Sequence, residues 1–321
     1  MRVLSGVQPS GQLHLGNYFG MMKPALELQA QHEAYYFIAS YHALTTVRDA
    51  ALLREYSQGV AMDFLACGLD PEQTVFYRQQ DIPELHELAW LLSIMCPMGL
   101  LERAHSYKDK IAKGMEATHA LFAYPVLMSA DILSVNADLV PVGRDQKQHL
   151  EIARDLAGKF NRETETETFK LPEPIIQDAV AVVPGTDGQK MSKSYNNTIP
   201  LFGSVKKQRK AIMRIVTDST PLEDPKDPDT CNVFALYKLL ADEQEQAEMA
   251  ERYRAGGMGY GDAKKALAEK VQGHFEPFRE KRDFLEKHPD EVEDVLREGA
   301  KRARTAIEPV LSAARQAVGL E

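Results

Sequence analysis

The sequence predicts an α/β fold, a parallel sheet followed by a second, helical domain. Three observations carry that prediction. Short β-rich runs alternate with amphipathic stretches through the first half of the chain. The strand signal then fades after residue 204, and Ala263 to Leu285 and Asp290 to Val318 read as long helices separated by His288-Pro289. Finally, 321 residues are more than one hydrophobic core usually supports.

Taken in order, Val3-Leu4, Tyr35 to Ala39, Thr74 to Tyr77 and Asp138 to Val142 are the expected strands. Asp49 stands as the N-cap of a helix that carries Leu52, Leu53, Tyr56, Val60 and Phe64 at helical spacing, and Gly68 occupies its C-terminal left-handed position. Tyr124 to Ile132 reads as a helix with Pro125 in the first turn, where a missing N–H does no harm. Residues 184–203, rich in Pro and Gly, form a hinge, and Pro221 to Asp229 form a connector.

Composition narrows the function. With 44% hydrophobic and 26% charged residues the chain is ordinary globular material rather than disordered. Cys67, Cys96 and Cys231 are an odd set without Cys-x-x-Cys spacing, which argues against a disulfide framework or a zinc site. No stretch reads as a secretion signal or reaches the length of a membrane span, so a cytoplasmic setting without membrane contact is expected. A net charge of -9 discourages a polyanionic partner in general. Its distribution restores one, because Lys190 to Arg214 holds Lys190, Lys193, Lys206, Lys207, Arg209, Lys210 and Arg214 and no acidic residue.

Two segments point to phosphate chemistry. Gln8-Pro9-Ser10-Gly11 follows the first strand and Gly16-Asn17 opens a helix, so a glycine-rich turn feeds a helix N-terminus whose N–H groups attract anions. His14 adds a donor; a plain strand-turn-helix with Asn17 as N-cap is the structural alternative. Lys190-Met191-Ser192-Lys193-Ser194 then places two lysines three apart on a loop, where they can neutralise charge building on departing pyrophosphate. A solvated basic loop is the alternative there.

That pentapeptide and His14-Leu15-Gly16-Asn17 resemble the two signatures of class I aminoacyl-tRNA synthetases, with Asn17 in place of the second histidine. The run Tyr124-Pro-Val-Leu-Met-Ser-Ala-Asp-Ile132, followed by Pro141-Val-Gly-Arg-Asp-Gln-Lys-Gln-His149 and Arg154-Asp-Leu-Ala157, resembles the bacterial tryptophanyl family over essentially the whole chain. The resemblance implies a Rossmann-like catalytic domain at 1–189, a signature loop and hinge at 190–203, a helical tRNA-recognition domain at 204–295, and a final helix, 296–321, packing back on the catalytic domain.

It also implies an activity: tryptophan is activated by ATP, with Mg2+ carried on the nucleotide, and passed to tRNA(Trp) by a homodimer. His14, Asn17, Lys190 and Lys193 would be catalytic. ATP would meet Gln8, Pro9, Ser10, Gly16, Asn17, Lys110, Gly143, Arg144, Asp145 and Lys190 to Ser194. Tryptophan would meet Leu4, His42, Tyr124, Met128, Asp131, Ile132, Val140, Val142 and Gln146, with Asp131 accepting the indole N–H. A buried acceptor of that kind rejects the wrong side chain strongly. No resident metal site is implied. Lys207, Lys210 and Arg214 would share one helical face toward the tRNA backbone.

For several of these a structural alternative stands beside the functional one: packing for His42, a solvated face for Lys110 and for the basic stripe, a structural hydrogen-bonder for Asp131. The apolar run Leu91 to Met95 could serve a dimer or fill the core. Rival readings are a tyrosyl enzyme, a small nucleotidyltransferase and a noncatalytic RNA-binding relative. Departures from the usual pattern are Leu4 for Phe, Ser40-Tyr41 for Asp-Gln, Arg144 for an acidic residue and Gln189 for lysine.

Overall fold

A computed structural model describes the chain apart from residues 113, 115, 144–146 and 177–182, and apart from the side chains of His105, Ser106, Asp109, Lys110 and Ile176. Five parallel strands, β1 (Arg2–Val7), β2 (Glu33–Ile38), β3 (Thr74–Arg78), β4 (Leu139–Val142) and β5 (Glu173–Ile176), lie in the order β3-β2-β1-β4-β5. Four of them are the strands expected from the sequence. The fifth is concealed by Pro172 and Pro174, which β propensity counts against a strand. An edge strand tolerates them, because one side of its ladder needs no N–H.

Strands β1 and β2 pair along their whole length, from Arg2 opposite Glu33 to Val7 opposite Ile38. Strands β1 and β4 meet at Val3 and Leu139. Chain order reverses between these two strands, so a crevice opens beyond their carboxyl ends, the usual place for a ligand in a doubly wound sheet.

Helices cover both faces, and the strands are apolar on both sides accordingly. On one face Val3, Tyr36, Ile38 and Phe76 share a core with α4 (Ala50–Ala66) and α13 (Tyr260–Lys287). On the other, Leu4, Tyr35, Phe37, Val75 and Tyr77 pack with α5 (Glu84–Met95), α8 (His119–Ser134), α9 (Lys147–Thr164) and α14 (Pro289–Ala317). Asp49 caps α4 as expected, its Oδ1 accepting from the N–H groups of Ala51 and Leu52, and Gly68 follows with φ +109°.

One helix differs from expectation. Helix α8 begins at His119 behind a Thr118 cap, so Pro125 sits inside it rather than in its first turn. The missing N–H frees the Leu121 carbonyl. Ser129 Oγ–H donates one turn further on, to the carbonyl of Pro125 itself, at 2.8 Å.

The second half is helical: α10 (Val205–Met213), α11 (Asn232–Lys238), α12 (Glu243–Ala255), α13 and α14. Helix α12 starts on a capping box in which Asp242 and Glu245 exchange side-chain and backbone bonds. Helix α14 runs unbroken and presses on β3 at Gly299; a Cβ added there would lie 1.8 Å from the Phe76 carbonyl oxygen. Among the described residues no helix is long and apolar enough to cross a membrane.

Candidate active site

The turn after β1 is tight: Ser10 N–H donates to the Gln8 carbonyl at 2.9 Å, and Gly11 adopts φ +124°, which side-chain-bearing residues rarely reach. Helix α1 (Leu15–Asn17) then starts under a reciprocal box. Asn17 N–H donates to His14 Nδ1 at 3.3 Å and His14 N–H donates to Asn17 Oδ1 at 3.1 Å. The N-cap is therefore His14, and Asn17 is the third helical residue rather than the cap.

This geometry assigns the imidazole proton. With Nδ1 accepting from a backbone N–H, the neutral ring carries its hydrogen on Nε2, a donor for a phosphate oxygen. Burial first, and the Lys193 charge second, push the His14 pKa down to about 4, so the ring is neutral near pH 7.

The second signature is sewn to the first. Leu15 N–H donates to the Ile199 carbonyl and Leu201 N–H to the Leu13 carbonyl, both at 3.0 Å, around a bridge between His14 and Pro200. Gly16 N–H points at Met191 Sδ, 3.2 Å away. Lys193 Nζ donates to the Gly11 carbonyl at 2.9 Å, while Lys190 and Ser194 are exposed.

Asn197, overlooked in the sequence, braces this loop from behind. Fully buried, it accepts from Ser192 N–H at 2.7 Å and donates to Asp187 and to the Lys190 carbonyl. Of the other expected phosphate ligands, Arg144 and Asp145 lie outside the described residues. Lys110 belongs to α7 (His105–Ala112), but its side chain is also outside them.

Beside this platform the β1/β4 crevice widens into a cavity of about 450 Å³, within the size range of small-ligand sites. Leu4, His42, Tyr124, Met128, Asp131, Ile132, Val140 and Val142 all line it, with Gln8 and Gly143 among its walls. Gln146 lies outside the described residues.

Asp131 is 1% exposed and holds two protein donors. His42 Nε2 lies 2.8 Å from Oδ2, and Gln79 Nε2 reaches Oδ1 and Oδ2 at 2.8 and 3.0 Å. The Gln79 amide cannot be reversed, because its Oε1 accepts from Tyr41 N–H at 3.0 Å. A carboxylate has about four lone-pair positions, so one more donor can still be received. His42 is thus bound to Asp131 rather than merely packed.

Sequence reasoning missed Gln79, Phe37 and His149. Phe37 and His149 line the cavity, and the buried His149 meets Tyr124 Oη at 2.8 Å. The available signal for Gln79 was its position directly after β3, at the carboxyl edge of the sheet.

Comparison with known proteins agrees with this geometry. The family model for class I tRNA synthetases (W and Y) matches residues 1–276. The tryptophan–tRNA ligase of Rhodopirellula baltica is 57% identical over 320 residues, covering the whole of both chains. That of Fusobacterium nucleatum is 53% identical, covering 99% of this chain and 98% of its own. The chain belongs to the class I tryptophanyl-tRNA synthetases.

A crystal structure of the Campylobacter jejuni tryptophanyl-tRNA synthetase complexed with ADP and tryptophan superimposes with a TM-score of 0.95, at 51% identity over the whole of both chains. The Mycoplasma pneumoniae enzyme still gives 0.83 at 28% identity, covering 100% of this chain and 98% of its own.

For a tryptophanyl-tRNA synthetase the remaining expected surface is the basic stripe. Lys207 and Lys210 are exposed on α10 and Arg214 is exposed at its C-cap, whereas Gln208 and Ile212 turn inward. The apolar run on α5 divides: Leu91, Leu92 and Met95 are buried, whereas Ile94 is 63% exposed beside Trp90 at 70% and Met98 at 64%.

Proposed function

We propose that the β1/β4 cavity takes the tryptophan side chain and that the joined signatures take ATP. The chain is a tryptophan–tRNA ligase: it activates L-tryptophan with ATP to tryptophanyl-adenylate and pyrophosphate, then passes tryptophan to the 3' end of tRNA(Trp). The observation that carries the residue-level reading is Asp131, a buried acceptor with room for a further donor, at the foot of a cavity beside the paired signatures.

In the first step a tryptophan carboxylate oxygen attacks the α-phosphorus and the bond to the bridging β-phosphate oxygen breaks. No enzyme nucleophile takes part. Asp131 receives the indole N–H, Leu4, Met128, Ile132, Val140 and Val142 enclose the ring, and Tyr124 and Gln146 hold the ammonium. Gln8, Pro9, Ser10, Gly16, Asn17, Gly143, Arg144 and Asp145 seat the nucleotide. His14 Nε2–H, the Asn17 amide, Lys190, Lys193 and Lys110 offset the charge that builds on the pyrophosphate. Mg2+ travels on the ATP phosphates.

In the second step a ribose hydroxyl of the tRNA attacks the acyl carbon and AMP leaves. We assign residues 1–189 to catalysis, 190–203 to the signature loop, 204–295 to tRNA recognition with Lys207, Lys210 and Arg214 on its backbone, and 296–321 to support of the sheet. Trp90, Ile94 and Met98 form an exposed apolar patch suited to a homodimer. Trp90→Glu should then yield monomers in light scattering. Three unpaired cysteines suit the cytoplasm.

The test is ATP–pyrophosphate exchange across the twenty amino acids. Tryptophan alone should support it; tyrosine-dependent exchange would overturn the pocket assignment. Lys193→Ala should leave tryptophan binding intact and slow exchange by about 10²–10³-fold, the usual cost of losing a preorganised charge donor. Unchanged exchange would remove Lys193 from the mechanism.

A further inference from the structure

Asp63 has no part in the chemistry described so far. It lies on α4 with its side chain almost wholly buried, where an ionised carboxylate is costly without partners. Its Oδ1 accepts from Arg282 Nε of α13 at 2.7 Å, so the pair joins the sheet-covering helix α4 to the helical half of the chain. Arg282 also reaches Met62 Sδ and, at 3.6 Å, Glu286. Oδ2 has no hydrogen-bond partner among the described residues.

Asp63 and Arg282 face a cleft of about 540 Å³ whose walls include Gly11, Gly203 and Arg279. Gly11 is the residue whose carbonyl holds Lys193 Nζ. Asp63 thus shares a cleft wall with the residue that holds the Lys193 ammonium, an arrangement in which carboxylate and ammonium attract each other.

We infer that Asp63, held by Arg282, is a positioning residue that keeps Lys193 at a resting station on the Gly11 carbonyl, from which the nucleotide must draw it. The inference rests on the reading of the joined signatures as the ATP site. Three features support it. The station is built from a neutral acceptor in contact with the ammonium and an anion in the wall of the same cleft, which together can hold a half-buried lysine. Arg282 fixes the carboxylate through its Oδ1, so the anion cannot follow Lys193 toward the triphosphate. Asp63 also repels that triphosphate, so its charge opposes ATP entry both directly and through the lysine.

The experiment is a mutant cycle on ATP affinity measured by calorimetry, with wild type, Asp63→Asn, Lys193→Ala and the double variant. Asp63→Asn should tighten ATP binding by roughly three- to tenfold, toward the lower end of the coupling found between residues of one network. In the Lys193→Ala background most of that gain should vanish, and tryptophan affinity should not move in either.

Equal gains with and without Lys193 would overturn the inference, since Asp63 would then act by repulsion alone. If Asp63→Asn fails to fold, Asp63→Leu with Arg282→Leu replaces the ion pair by an apolar contact, which buried sites often accept, and enters the cycle in its place. Absence of ATP binding in the wild type would instead defeat the nucleotide-site reading, a separate outcome.

Discussion

Gln79 Nε2 donates to both oxygens of Asp131, at 2.8 and 3.0 Å, while Gln79 Oε1 takes the Tyr41 backbone N–H. The amide therefore transmits the position of the α3 (Ser40–Ala43) turn to the carboxylate that faces the pocket. The sequence departs from the usual family pattern at Ser40-Tyr41, beside His42, yet Tyr41 contributes through its backbone, which any residue supplies.

Gln79→Leu leaves Tyr41 N–H unpaired and Asp131 with His42 alone. Each lost bond in a buried site costs about 1–3 kcal/mol. The KM for tryptophan in pyrophosphate exchange should rise at least roughly tenfold, with the KM for ATP unmoved. An unchanged tryptophan KM would mean that His42 alone orients Asp131.

Acid stability follows from two buried groups of opposite sign. His14 has its pKa lowered from 6.5 to about 4 by burial and by Lys193. The unfolded chain therefore binds this proton before the folded one, and folding stability falls as pH drops through 6.5 toward 4. Asp63 has its pKa raised from 3.8 to about 6, burial outweighing the attraction of Arg282. The folded state takes that proton first, so this group favours folding as pH falls through the same window. In urea unfolding, His14→Asn should lose less stability than wild type between pH 7 and 4.5, and Asp63→Asn should lose more. Identical pH slopes in all three would contradict both assignments.

Lys207, Lys210 and Arg214 stand on the outer face at α10, with Gln208 bonded inward to the Pro200 and Leu201 carbonyls. Removing one phosphate contact should flatten the log-log salt dependence of tRNA affinity by roughly one unit. Lys207→Ala should show that change in filter binding across a salt series. A slope equal to that of wild type would mark this face as merely solvated.

Helix α14 crosses β3 at Gly299, where backbone of Phe76 occupies the place of a side chain. Gly299→Ala must move the helix off the strand and should destabilise by about 3 kcal/mol, the upper end for overpacking. Gly273 on α13 offers the contrast, because nothing lies within 4 Å of its added Cβ. Gly273→Ala should gain up to about 1 kcal/mol from helix propensity. Chemical denaturation of the two variants side by side checks both signs.

What the sequence determined by itself was whatever local order carries. Alternating strands and helices, the Asp49 cap, the two signatures and the apolar neighbours of Asp131 each depend on residues a few positions apart, whose spacing is the physical cause of the structure. Strand β5 was illegible because Pro172 and Pro174 are forbidden by local propensity and permitted by an edge position, which is a property of the assembled sheet. Pro125 was misplaced for a similar reason: packing against α5 and α9 sustains α8 through a residue that would break an isolated helix.

Only the tertiary structure decided the partners. Gln79 and Asp131 are 52 residues apart, Gly16 and Met191 are 175 apart, and Asp63 and Arg282 are 219 apart. No local pattern encodes such pairs. They form because the parallel sheet brings the ends of β1, β3 and β4 to one edge, and because α13 and α14 return to cover it. The sequence could thus name a phosphate turn, a lysine loop and a carboxylate, whereas burial and distance determined which group holds each of them in place.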